Sequence, residues 1–252
     1  MNLIRRLREA PVTVGLIAVN LLVYLIMVAV SRRVLSFDET TLIAAGASGS
    51  NLDLPHWRWL TAAFVHVGLL HIVMNLWVLA QIGVISERAL GRGLLAATYV
   101  VTGILGNVLS NGLATHSAQQ QIAAGGLGAI QQQISAGASG AIMGLIGMAT
   151  TFAWRSGQRA VARVLAFNIL LVLGVGLSLT AGGVALVDNA AHFGGLIAGA
   201  VVGLARVRVR RPAPRWLDLA LIAASIALLS ASETLSPYSF SDFSASWTSD
   251  SP

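Results

Sequence analysis

Gly137-Ala138-Ser139-Gly140 runs straight into Ala141-Ile142-Met143-Gly144-Leu145-Ile146-Gly147-Met148, a serine between glycines where a polar loop becomes an apolar run. Glycines let the backbone bend and approach closely. A helix start offers N–H groups without intrahelical partners, and these favour a developing negative charge. Both features suit a nucleophile with part of an oxyanion hole. Two plainer readings compete. Small residues in apolar helices serve close packing, and the same tetrapeptide recurs at Gly46-Ala47-Ser48-Gly49 in a polar loop with no apolar helix behind it. Nor is this the Gly-x-Ser-x-Gly elbow of α/β-hydrolases, because residue 141 is Ala. The role of Ser139 therefore turns on what the rest of the chain brings to it.

The 252 residues are 56% hydrophobic and 10% charged, with mean hydropathy +0.76. A soluble domain carries about 25% charged residues, so an all-α, polytopic membrane bundle is expected. There is no cysteine, which excludes disulfides, thiolate metal sites and a cysteine nucleophile. All 16 basic residues are Arg, and they sit at the ends of apolar runs. The pI of 11.2 thus reports membrane orientation and not a nucleic-acid partner.

Outward from Ser139, seven apolar spans are expected. A basic head, residues 1–11, holds Arg5, Arg6 and Arg8 and precedes a retained first helix, Val12 to Val30. The loop Ser31 to Trp59 ends in Pro55-His56-Trp57-Arg58-Trp59, aromatics beside an Arg that fit a segment at the membrane interface. Further spans run from Leu60 or Leu69 to Ile85, Leu94 to Leu113, Gly140 to Trp154, Val164 to Leu179, and Ala190 to Ala205. Between the third and fourth, Ala114 to Ala138 carries no charge and two Gln triplets, and reads as a polar linker or a loop dipping into the membrane edge. The expected division is a six-helix core, 12–206, then a basic linker and seventh span (near Trp216 to Leu229), 207–231, and a disordered, Ser-rich acidic tail, 232–252. Thirteen arginines fall on the side of the head and the turns after spans two, four and six; Arg32, Arg33 and Arg58 fall on the other. The positive-inside rule then puts the N-terminus in the cytoplasm and the tail outside an inner or plasma membrane.

Polar residues within spans are costly, so their depth is informative. Spans two, four and six each end at an Arg marking the cytoplasmic boundary: Arg88, Arg155 and Arg206. Counting back at 1.5 Å per residue, Ser139 lies about 24 Å away, His192 about 21 Å, and Asn75 and His71 about 20 and 26 Å. In a hydrocarbon core of about 30 Å, all four share one layer beneath the outer surface. Gly140, Gly144 and Gly147 on one helix, and Gly195, Gly199 and Gly203 on the face of His192, would let the two backbones come close. His192 would serve as general base for Ser139 and later protonate the leaving amine. Asn75, His71 and the Ser139 N–H, flanked by Gly137 and Gly140, would hold the oxyanion. Asp188, four residues before His192, is a candidate to orient it. A zinc site is disfavoured: there is no His-Glu-x-x-His pattern, and His66 and His71, five apart, would turn to different helix faces. His66 is expected to hydrogen-bond the first loop; His56 and His116 read as loop histidines.

Together these residues resemble the rhomboid family of intramembrane serine proteases. The likeness spans Pro55 to Gly203. It comprises Trp57-Arg58, His66, His71-x-x-x-Asn75, Glu87 and Gly91, Gly137-x-Ser139-Gly140, and His192-x-x-Gly195-x-x-x-Gly199. The resemblance implies a six-plus-one helical fold with Ser139 as nucleophile, His192 as base without a required Asp, and His71 and Asn75 in the oxyanion hole. Trp57-Arg58 would be the structural signature of a membrane-embedded first loop. It also implies membrane-protein substrates, single-pass or multi-pass, cut near the outer end of a helix at small residues, within the lipid bilayer, with no cofactor or metal and no required oligomer. Met143 departs from the pattern: many members carry there a Tyr that stacks on the catalytic His, so altered His192 positioning is expected. A non-catalytic relative that binds and retains transmembrane helices is the first alternative, and would be favoured by loss of Ser139 or His192. A transporter is the second, but no internal repeat is present and the polar layer lies off the midplane.

Overall fold

In the computed structural model, residues 3–49, 54–123, 133–182 and 187–208 are described, with 220, 223 and 224. Among them are nine helices: α1 (Leu3–Arg8), α2 (Pro11–Ser31), α3 (Glu39–Ala44), α4 (Arg58–Thr61), α5 (Leu69–Leu90), α6 (Arg92–Ala123), α7 (Ser139–Arg155), α8 (Arg159–Ala181) and α9 (Asn189–Arg208). A two-residue strand β1 (Ser48–Gly49) pairs antiparallel with β2 (Ile134–Ser135), Ser48 opposite Ser135.

The protein is a polytopic membrane helical bundle. By length and apolarity alone, α2, α5, α6 and α8 each suffice to cross a membrane. Leu22 and Leu25 of α2, Leu70 and Trp77 of α5, Phe167 and Leu170 of α8, and Ile197 and Val201 of α9 are exposed, as lipid-facing side chains should be. At 17 residues α7 is shorter, and it is sheathed by α5, α6, α8 and α9, so its surroundings are protein. Lipid tails are as apolar as Leu, so such helices associate through packing and internal polar contacts. The core is accordingly tight around Leu79, Leu95, Tyr99, Leu145 and Met148, all fully buried.

Buried polar ties set the helix order. Pro11 opens α2, and the first free N–H groups of that helix, on Val12 and Thr13, donate to the Glu87 carboxylate of α5 at 3.1 and 2.8 Å. The Thr13 hydroxyl donates to it as well, and Arg92 lies 3.7 Å away. An acceptor at a helix start stabilises it by about 1 kcal/mol. Glu87 thus docks α2 on α5, and Gly91, at φ 98°, ends α5 immediately beyond. On the opposite side the loop after α2 is ordered by its own apolar cluster of Tyr24, Met27, Phe37, Leu42, Val65 and Ile72.

The apolar runs expected as spans one to six fall on helices α2, α5, α6, α7, α8 and α9, of which α2, α5, α6 and α8 are long and apolar enough to cross a membrane. Two expectations change. The third helix continues to Ala123, so residues 114–123 are helix and not loop, and His116 sits in it within 3.1 Å of Gln120 Nε2. Ala and Gln are good helix formers, and the breaking Gly125-Gly126 comes only afterwards. At about 48 Å, α6 outruns a bilayer core of about 30 Å. His66 precedes α5, so helical spacing does not apply to it: its ring packs 5.3 Å from that of His71. The seventh span and the acidic tail lie outside the described residues, apart from 220, 223 and 224.

Candidate active site

Ser139 is the first residue of α7, and Ala138 before it supplies no side-chain cap. Its N–H is therefore one of those left without an intrahelical acceptor. The turn needs Gly137, which sits at φ 134° and donates its N–H to Ala62 O at 2.8 Å. It also needs an absent side chain: a Cβ at Gly137 would lie 2.6 Å from His71 Cε1. The imidazole of His71 is thus laid directly against the turn that delivers Ser139.

The helix bearing His192 reaches the same point by glycine contacts. Beyond Ser139, Gly140 packs on the start of α9, where a Cβ would sit 3.3 Å from Ala191 O. A Cβ at Gly195 would strike the Gly140 carbonyl, and one at Gly199 the Gly144 carbonyl. Lower down, Thr151 Oγ1 donates to Ala200 O at 3.1 Å. The α7–α9 pair forms the most extensive helix interface of the described residues. Gly144 differs from its expected role, since its missing side chain makes room for Thr102 of α6 while its carbonyl meets Gly199. α5, α7 and α9 are each continuous from their polar residue to the terminal Arg.

Three imidazoles gather here. His192 and His66 are buried, and His71 is near enough to His192 for their charges to interact. Nδ1 of His192, Nδ1 of His71 and Nε2 of His66 are buried with no protein partner. Buried polar atoms left unbonded cost about 1–3 kcal/mol each, a cost found at sites built to receive another polar group. Asn75 Nδ2 donates to His71 O at 2.8 Å along its own helix, which uses one of its two amide hydrogens. No group of three metal-ligating side chains occurs among the described residues.

Other sequence candidates lie beside the site. Arg58 is buried: its guanidinium sits 4.9 Å from the Trp57 ring centroid and donates to Ile43 O and Ala47 O, fastening the end of α3 and the loop after it. His56 stacks on Trp59 at 4.5 Å. His66 Nδ1 lies 3.1 Å from Phe64 O, in its own connection and not the first loop. Met143 is buried in the main apolar cluster of α7. Asp188 makes no hydrogen bond to the His192 ring. One oxygen accepts from Ala191 N–H at 2.9 Å, the other from Ser110 Oγ at 2.7 Å and from Ser135 Oγ. An Asp just ahead of an apolar helix is a capping signal, so that half of its role was readable; Ser110, Ser135 and Asn107 carried no local signal.

Long apolar helices and a serine-bearing turn beside buried histidines define a polytopic membrane bundle with polar side chains in its interior. The chain belongs to the rhomboid family: the Rhomboid domain model matches residues 55–209. Similar proteins include Rhomboid protease GlpG of Serratia proteamaculans, 30% identical over 217 residues, which is 81% of this chain and 66% of that protein. Rhomboid-like protease 2 of Toxoplasma gondii is 28% identical over 79% of this chain and 66% of its own length. Rhomboid protease GluP of Bacillus subtilis is 29% identical over 65% of this chain but only 29% of its own length. The match therefore spans well under half of the Bacillus relative.

Proposed function

We propose that the protein is an intramembrane serine endopeptidase that cuts membrane-protein substrates within the bilayer. The observation that carries this reading is the laying of the His71 ring against Gly137 while α9 meets α7 at Gly140, so that the residues flanking Ser139 touch both histidine-bearing helices. Membership of a family whose matched bacterial members are named proteases supports it.

In the proposed reaction His192 takes the proton of Ser139 Oγ as the oxygen attacks the scissile carbonyl carbon. The C=O electrons move onto oxygen, and that oxyanion accepts hydrogen bonds from the Ser139 N–H, the free amide hydrogen of Asn75 and His71. Gly137 and Gly140 keep the turn open to it. Collapse breaks the C–N bond, and His192-H⁺ protonates the departing amine. Water then attacks the acyl-serine with His192 again as base, releasing the acid and restoring Ser139. The chemistry needs no cofactor. A transmembrane helix shields its amides by hydrogen bonds, so the substrates that fit are helices weakened by small residues near their outer end. The proposed topology has the N-terminus in the cytoplasm, the site opening outward in an inner or plasma membrane, six core helices plus a seventh, and a monomer sufficient for activity.

The test is cleavage of a reporter carrying one small-residue-rich transmembrane helix by the reconstituted protein and by Ser139→Ala. Cleavage by the native chain alone is expected. Equal cleavage by both would overturn Ser139 as nucleophile. No cleavage by either, with equal reporter binding, would favour a helix-retaining protein.

A further inference from the structure

We propose that Asp188 is a positioning residue that fixes the Ser139 turn and the His192 helix relative to one another. The proposal rests on the reading of Ser139 and His192 as the reacting pair.

The geometry is that of a clasp. Asp188 lies four residues before His192 and Ser135 four residues before Ser139, and the hydroxyl of Ser135 donates to Asp188 Oδ2. The same oxygen accepts from Ser110 Oγ of α6 at 2.7 Å. Oδ1 accepts the Ala191 N–H at 2.9 Å, and the Asp188 carbonyl accepts the His192 N–H at 3.1 Å. One carboxylate therefore holds the start of α9, the strand leading to Ser139, and α6 as a common frame. A negative charge suits the N-terminus of a 20-residue helix, and charge-assisted bonds are shorter and stronger than neutral ones.

The clasp is itself braced. Asn107 Oδ1 lies 2.9 Å from Ser135 Oγ, while its amide donates to Trp59 O at 2.7 Å. Ser48 Oγ donates to Ser135 O, and Asn111 donates to Ser48 Oγ at 3.1 Å. Ser135 is thus pinned two residues before Gly137, which is pinned separately to Ala62. With both oxygens so engaged and Nδ1 of His192 unbonded, the carboxylate is bonded to the segments that carry the pair and makes no hydrogen bond to the imidazole.

Displacing a reacting group by about 1 Å costs on the order of 100-fold in rate. Asp188→Ala in the reconstituted full chain should therefore lower kcat by about 10- to 100-fold with KM little changed, and slow labelling of Ser139 by a fluorophosphonate in parallel. Asp188→Asn, whose amide oxygen still caps α9 and whose NH₂ can donate to the serine hydroxyls, should recover most of the loss. Hydrogen exchange of the backbone amides reads the clasp without any activity: residues 133–139 and 189–193 should exchange faster in Asp188→Ala, and 133–139 alone in Ser135→Ala. Unchanged exchange over 133–139 in both variants would overturn the proposal, as would an undiminished kcat in Asp188→Ala. If Asp188→Ala exchanges throughout the bundle, Ser135→Ala decides on the same local signature. A native chain that neither cleaves nor labels would sink the protease reading, while the exchange pattern would still support or overturn the clasp.

Discussion

Gly46-Ala47-Ser48-Gly49 and Gly137-Ala138-Ser139-Gly140 are the same four residues, and the fold uses them in opposite senses. The first ends a helix. Gly46, at φ 100°, stands just past α3, with its N–H on Ile43 O at 3.1 Å and that of Ala47 on Leu42 O at 2.9 Å. That is the bond pattern of a glycine-terminated helix. Ser48 then enters β1 and is buried. The second copy starts a helix, and Ser139, only partly buried, becomes its first residue. The next residues in the chain decide between the two: Ser50-Asn51-Leu52-Asp53 in one case, Ala141-Ile142-Met143 in the other. The glycines permit the bend in both, and the apolar run alone makes the second bend a helix start with free N–H groups.

The largest contrast should come from the serines. Ser139→Ala is expected to remove at least about 10³-fold of reporter cleavage, because no other group supplies the attacking oxygen. Ser48→Ala loses one 3.4 Å bond to Ser135 O and the acceptor of Asn111, and should keep cleavage within a few-fold. Comparable losses in both, measured as kcat/KM on one reporter, would erase the distinction drawn between the copies.

The first glycines separate next. Gly137→Ala puts a methyl into the His71 ring and strains a left-handed backbone, so kcat should fall by about 100-fold. Gly46→Ala meets Thr61 Oγ1 at 2.8 Å, at a comparable backbone strain of about 1–3 kcal/mol. Its cost should show in thermal unfolding of the reconstituted protein, with kcat changed much less. A third pair tests the α7–α9 seam. Gly195→Ala drives a methyl into the Gly140 carbonyl next to Ser139, whereas Gly174→Ala on α8 meets nothing within 4 Å. The first should lower kcat about tenfold or more, and the second should leave activity unchanged and raise stability by at most about 1 kcal/mol. Equal effects would mean that the seam does not set the site.

The same contrast separates the features legible in the sequence from those that were not. The apolar run after Ser139, the Arg at each helix end and the glycine spacing are local features, and they suffice for the helical bundle and for the close seam between α7 and α9. The extension of α6 to Ala123 is a local feature too, since Ala and Gln are good helix formers. Other features are purely tertiary. Nothing near Arg58 in the sequence says that its guanidinium turns inward to the carbonyls of Ile43 and Ala47. Glu87 sits 75 residues from the Val12 amide that it accepts. The neighbouring rings of His66 and His71 are tertiary in a different way, because a helix boundary at Leu69 lies between them and helical spacing does not relate them.

The smallest expected effect lies at the other end of the helix that the first copy closes. Asp38 caps α3, accepting the Thr41 N–H at 2.9 Å, with Arg33 3.1 Å away. Hydrogen bonding by Thr41 holds the Asp38 carboxyl below the ordinary carboxylate range, and Arg33 adds to the shift. A carboxyl so lowered stabilises the fold at pH values above its unfolded pKa of about 3.9, and that contribution is lost as pH falls through the lowered folded value. The cap is largely exposed, so Asp38→Ala should cost only about 0.5 kcal/mol near neutral pH, the lower end for such caps. The difference between the native chain and Asp38→Ala in thermal unfolding should be constant from pH 7 to about 5 and should shrink below about 4. Asp38→Asn, which caps as well without titrating, should show no such pH dependence. Cleavage should be the same in all three, because the cap lies at the end of α3 remote from β1, the strand that pairs with the one leading to Ser139. A drop in cleavage with Asp38→Ala would mean that the first copy, for all its distance from the chemistry, governs the second through β1 and β2.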